Sequence, residues 1–222
     1  MKRLVVLMGV LFALTARPAN AAVIYAYDNS TPYSTTSLTG FSTSGDGMSG
    51  MLVTATIGAG ADGATWATTS AGCGGATGSG WSVTECGDTF TSSWTLASNV
   101  LITSLFIDAG AGNTVFDIDG TTTGTAGSGL GNAFSTSYTG NITATYSGPV
   151  GLTGDAPVGD LYRFLRLDFT GGAFSGQLSF LQDTDNLGRL GDITPAPEPA
   201  SMLLLGTGVL AAALRRRFSR NA

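Results

Sequence analysis

Between residues 23 and 194 no stretch spaces its apolar residues with a helical period, while several space them with a period of two. In the run 161–169, Leu161, Arg163, Leu165, Leu167 and Phe169 fall on one face and Tyr162, Phe164, Arg166 and Asp168 on the other. Phe174, Gly176, Leu178 and Phe180 alternate in the same way against Ser175, Gln177 and Ser179, as do Ile142, Ala144 and Tyr146. Over residues 90–96, Phe90, Ser92, Trp94 and Leu96 share one face. Residues 100–107 are apolar on both faces, as in a central strand covered on both sides. Shorter β-type runs occupy 23–27, 51–57, 81–84 and 114–118. The segments between them are rich in Gly, Ser, Thr and Asp, residues that favour turns and caps over helix interiors. About nine strands at this spacing predict an all-β fold, a β-sandwich of jelly-roll type, with no internal repeat.

The two ends are of a different kind. Met1-Lys2-Arg3 precedes an apolar run over 4–16, shorter than the roughly 20 residues a bilayer span takes. Ala19-Asn20-Ala21 then offers small residues at a cleavage site, which predicts a signal peptide over 1–21, removed by signal peptidase. At the other end, Pro195-Ala196-Pro197-Glu198-Pro199 forbids a regular helix. An uncharged apolar run over 200–214 follows, closed by Arg215, Arg216 and Arg217. This pattern predicts a transmembrane helix with its arginines on the cytoplasmic side and the body of the protein outside. The expected division is therefore 1–21, an extracellular domain over 22–194, and a tail over 195–222.

The order Pro-Glu-Pro, short apolar helix, arginine cluster resembles the PEP-CTERM sorting signal of exopolysaccharide-producing Gram-negative bacteria. The resemblance covers the tail only. It implies that Pro197, Glu198 and Pro199 are the recognition motif of an exosortase-type membrane protease, that 200–214 is the membrane helix, and that Arg215, Arg216 and Arg217 are its stop. It further implies display at the cell surface or in an extracellular matrix, with exopolysaccharide as a candidate partner.

With both ends set aside, residues 22–194 hold three of the ten basic residues and fourteen of the fifteen acids, a net charge of −11. Such a surface repels nucleic acid, whose binding rests on clustered Lys and Arg, and attracts cations. Cys73 and Cys86 fall in the exported part, where an oxidising environment predicts a disulfide between them. Two acidic segments, Asp117-Ile118-Asp119-Gly120 and Asp183-Thr184-Asp185-Asn186, read as loops at strand ends. Alternate oxygen-bearing side chains in a turn converge on a hard cation, so Asp117 and Asp119 in the first loop, or Asp183, Asp185 and Asn186 in the second, are candidate calcium ligands, each loop a site of its own. The competing reading is that they only make turns. Calcium is the one cofactor the sequence points to.

With no histidine in the chain, Ser-His-Asp and Cys-His catalysis and His-ligated zinc are excluded. No catalytic residue is assigned. Trp66 and Trp81 border Gly-rich segments and are open between a core role and a platform on which sugar rings stack; Trp94 reads as core. The resulting expectation is a non-catalytic surface or matrix protein, structural or carbohydrate-binding. The alternative is a secreted carbohydrate-active enzyme working through Asp carboxylates.

Overall fold

The computed structural model describes residues 23–28, 31–40, 43–121 and 124–196. The expected signal peptide, the Pro197-Glu198-Pro199 motif, the apolar helix and Arg215–Arg217 lie outside the described residues. Within them the chain is all-β. The early strands are β1 (Val23–Asp28), β2 (Tyr33–Thr35), β3 (Leu38–Gly40), β4 (Leu52–Ile57), β5 (Gly60–Thr65) and β6 (Ala67–Ser70). They are followed by β7 (Cys73–Gly78), β8 (Trp81–Cys86), β9 (Trp94–Asp108), β10 (Thr114–Asp117) and β11 (Ser135–Thr136). The last are β12 (Ile142–Leu152), β13 (Leu161–Phe169), β14 (Phe174–Leu181), β15 (Asp183–Leu187) and β16 (Thr194–Pro195). Two 3-10 turns, Gly45–Met48 and Ala109–Gly112, complete the described elements.

Strand β9 organises the sandwich. Its first half pairs with β8 and β14, its second half with β4 and β13. Inward positions change from Trp94, Leu96 and Ser98 to Leu105 and Ile107, and the ladders with β14 and β4 both shift register across this region. A β-bulge bends a strand and raises its twist, so one strand serves both layers. The bend also corrects the sequence reading of 100–107: Leu101 is 61% exposed, outside the covered part of the strand. Phe90 likewise stands outside any strand. Asp88 Oδ1 accepts from the Phe90 N–H (3.0 Å), and the Asp88 carbonyl accepts from Thr91 and Ser92. That Asx turn takes the backbone donors an extended strand would have used.

The other layer runs β13–β12, where β12 takes β1 along one stretch and β2 along another, both in parallel. Strands β13, β10, β15 and β3 pair in succession. A large core lies between the layers, and a smaller one gathers Val115, Val150, Leu161 and Leu187 with Tyr33, Leu38 and Ile193 against them.

All three tryptophans belong to the large core, which removes Trp66 and Trp81 as an exposed sugar-stacking platform. Trp66 is 1% exposed and Trp81 3% exposed. Trp66 packs on Trp94 (5.1 Å between ring centroids) and donates its Nε1–H to the Gly45 carbonyl (2.7 Å). Trp81 donates to Asp62 Oδ2 (2.7 Å), and Trp94 to the Gln182 carbonyl (2.8 Å). The glycines beside these indoles are clearance for them. A Cβ on Gly74 would lie 2.2 Å from Trp66 Nε1, and one on Gly78 2.4 Å from the Trp81 ring.

The expected Cys73–Cys86 disulfide is present, between directly opposed residues of β7 and β8. It closes a separation of 13 residues, for which the chain-entropy account gives about 3 kcal/mol. The double variant Cys73→Ala/Cys86→Ala is accordingly expected to unfold at lower urea than the parent. An unchanged midpoint would show that the hairpin needs no covalent tie.

Candidate metal centre

Strands β10 and β15 pair antiparallel, with Asp117 opposite Asp183 and Val115 opposite Asp185. Alternation places Val115 and Asp117 on one face of β10, and Asp183, Asp185 and Leu187 on the matching face of β15. Val115 and Leu187 belong to the smaller core, so the three carboxylates enter an apolar layer. Asp117 is 1% exposed, and Asp183 and Asp185 are fully buried. The expected acidic loop at 183–186 is thus a strand. The register with β10 supplies its backbone partners, and the Asp183 N–H is held by the Asn132 carbonyl (3.0 Å).

Each of the three carboxylates brings an oxygen to a common point, all within 4.8 Å of one another. Some oxygens are already engaged. Asp183 Oδ1 accepts from Thr89 Oγ1 (2.8 Å) and from the Thr184 N–H (2.9 Å), and Asp117 Oδ1 accepts from the Asp119 N–H (3.2 Å). Asp117 Oδ2, Asp183 Oδ2 and both oxygens of Asp185 are buried without a hydrogen-bond partner. Gly131 closes the chain over the group: a Cβ there would lie 2.1 Å from Asp117 Oδ1.

Three converging buried carboxylates are costly as bare anions. Burial first, and then the neighbouring carboxylates, push Asp185 up to about 8. Burial likewise raises Asp117 to about 7 with help from Asp183, Asp160 and Asp119. Asp183 rises to about 7 by burial, against the opposing hydrogen bonds from Thr89 and Thr184. No cation faces them: among the described ion pairs, Arg163 holds Asp108 (2.8 Å) and Arg166 holds Asp168 (2.8 Å). Asp168 is therefore an arginine partner and not a free acid.

The donor set is oxygen only, which selects a hard cation. Calcium–oxygen distances of about 2.3–2.6 Å put ligands on opposite sides of one ion at a separation compatible with the 4.8 Å spread. Magnesium keeps several waters and sits in a tighter octahedron, which suits a fully buried carboxylate trio less well. The structure brings Asp117 of one acidic segment together with Asp183 and Asp185 of the other, a grouping across two segments that the sequence treated as separate candidate loops. Asp119 and Asn186 are outside the group: Asp119 Oδ1 accepts from the Thr121 backbone N–H and hydroxyl, and Asn186, next along the strand from Asp185, points to the opposite face, near Gly47.

Sequence reasoning assigned no site role to two further buried acids. Asp160, 3% exposed, adds its charge to the field but has both oxygens occupied, by Thr125 and the Leu161 N–H. Glu85 is 1% exposed, neither oxygen makes a hydrogen bond of good geometry, and burial first, then Asp88, pushes it up to about 8 against the opposing pull of the nearby Gly45 backbone N–H. Its signal was the alternation of β8, which sets Glu85 on the face of Trp81 and Val83.

The tail is settled by comparison with known families. Residues 195–217 match the PEP-CTERM protein-sorting motif. This chain carries a PEP-CTERM sorting tail. The tail marks an exported protein of Gram-negative bacteria, held in the membrane before processing by an exosortase, a membrane protease. The match says nothing of the domain before it, for which no family is assigned. Comparison with curated proteins and with solved structures finds no match.

Proposed function

We propose that the exported domain of this PEP-CTERM protein is a non-catalytic, calcium-stabilised β-sandwich with an architectural role at the cell surface or in the exopolysaccharide matrix. The observation that carries this reading is the Asp117–Asp183–Asp185 group, in which each buried carboxylate brings one oxygen within 4.8 Å of the others and four of the six oxygens have no hydrogen-bond partner. An isolated buried anion is unstable unless neutralised by a proton, a counter-charge or a metal. Extracellular modules bind calcium at about 10⁻⁴–10⁻³ M, and an exported protein meets such concentrations outside the cell. The burial of Trp66 and Trp81 favours architecture over sugar stacking.

Calcium titration of residues 22–196 by calorimetry is expected to show one ion per chain. The end is set at 196 because Thr194 and Pro195 pair with β2. Asp117→Asn is expected to abolish binding and Asp119→Asn to leave it within about twofold. Absence of binding to the parent domain would overturn the metal reading. The domain is also expected to pass unretained over the host's polysaccharide, with calcium and with chelator. Retention would replace architecture by glycan binding, and turnover lost on Asp→Asn change would replace both by an enzyme.

A further inference from the structure

The sorting motif begins inside the fold. Thr194 and Pro195 form β16, antiparallel to β2, with Thr194 opposite Ser34 and Pro195 opposite Tyr33. The Ala196 N–H then donates to the Pro32 carbonyl (2.9 Å). Just upstream, Asp192 Oδ2 accepts from Thr35 Oγ1 (2.7 Å), the Thr36 N–H (2.5 Å) and Thr36 Oγ1 (2.8 Å). The matched motif starts at Pro195, and Pro197-Glu198-Pro199 follows directly after Ala196. No spacer separates the sheet from the sequence the membrane protease must read.

A protease works on a segment it can draw out and surround, so cleavage next to a paired strand proceeds through a locally opened state. The pairing at β16 is suited to opening. Both of its residues are exposed, and it is next to the smaller core only through Ile193 before it and its pairing partner Tyr33. We propose that β16 is a latch: with the Asp192 clamp it holds the start of the sorting motif on β2, and exosortase processing requires it to peel away. The pace of tail removal is then set by the opening of β16. This inference rests on the sorting tail and is independent of calcium.

The test is pulse–chase of tail removal from the full chain in its host. Ser34→Cys/Thr194→Cys joins residues that face each other across the pair, within the reach of a disulfide. Oxidised, this chain is expected to lose processing by tenfold or more, and mild reductant is expected to restore it; the two single variants and reductant-treated wild type are the controls. Asp192→Ala is expected to speed processing roughly threefold to tenfold, the net weight of one solvent-exposed hydrogen bond on the opening equilibrium. An oxidised staple processed at the wild-type rate overturns the latch whatever Asp192→Ala does, and so does a block that reductant fails to relieve. Amide exchange at Ala196 gives a second readout: it should quicken in Asp192→Ala and slow in the staple.

Discussion

In chelator at pH 8, Asp185→Asn is expected to be more stable than the parent domain, and in millimolar calcium that advantage is expected to narrow. The narrowing follows from what surrounds the carboxylate. Asp185 is fully buried, neither of its oxygens has a partner, and its neighbours include Asp117 and Asp183. Its folded pKa of about 8 lies above that of an unfolded aspartate. A carboxylate shifted in that direction stabilises nothing on ionising. Without a cation, stability falls as pH rises from the ordinary aspartate range through about 8. An amide of the same shape removes the charge and with it the penalty. With calcium bound the same charge becomes a ligand. Millimolar calcium is about one to ten times the dissociation constant of a site of this class, which adds about 0.4–1.4 kcal/mol, or about 1–5 °C in melting temperature for a domain of this size. The asparagine variant should gain little of this. Thermal melts of both chains, with calcium and with chelator, give the comparison. The same gap between the two chains in both conditions would mean that the trio holds no ion.

Glu85→Gln is expected to stabilise the calcium-loaded domain by several kcal/mol at pH 8.5 while changing it little at pH 5. Glu85 lies far from the metal trio in the sequence, on the inner face of the disulfide hairpin, against the turn at Gly45. Burial and the nearby Asp88 raise it to about 8 from an ordinary glutamate value of 4.5. The folded state therefore binds a proton that the unfolded chain has released, and the stability this represents is lost between those two values as pH rises. At about 1.4 kcal/mol per unit, ionisation costs on the order of 4 kcal/mol. Glutamine keeps the size of the neutral acid and cannot ionise. Urea midpoints of the two chains at both pH values decide the matter: a gap that does not widen with pH would place the Glu85 carboxylate in a solvated or counter-charged setting.

The strands legible in the sequence were those with one face in the core. Leu161–Phe169, Phe174–Leu181 and the first half of Ile142–Leu152 advertise themselves by alternation, because burial on one side imposes a period of two. Gly60–Thr65 and Ala67–Ser70 bury little and carry no apolar stripe, so local pattern was silent about them. The inverse failure occurred at β15. Asp183 and Asp185 resemble turn residues, yet Leu181, Asp183, Asp185 and Leu187 keep one parity along the strand. The parity was visible; its meaning depended on Asp117 lying directly across, a pairing between residues distant in sequence that no local rule supplies. The indoles misled for a related reason. Glycine beside Trp66 and Trp81 suggested exposed loops, whereas missing side chains are what an indole needs in order to sink between strands. The tail needed no fold at all, because a sorting address is read along the chain.

The parallel pairing of β1 with β12 also sets a timetable. β1 is the first described strand to cross the membrane in an N-to-C export, and Val23 has to wait for Ile142 before its ladder can start. Hairpins β4–β5 and β7–β8 can close as they emerge, but β9 stays half-paired until β13 and β14 arrive. The chain is therefore a thread with small loops for most of its passage, and neither layer is complete until the greater part has crossed. Its assembly is postponed by topology to the outer side of the membrane, where the oxidant for Cys73 and Cys86 is found.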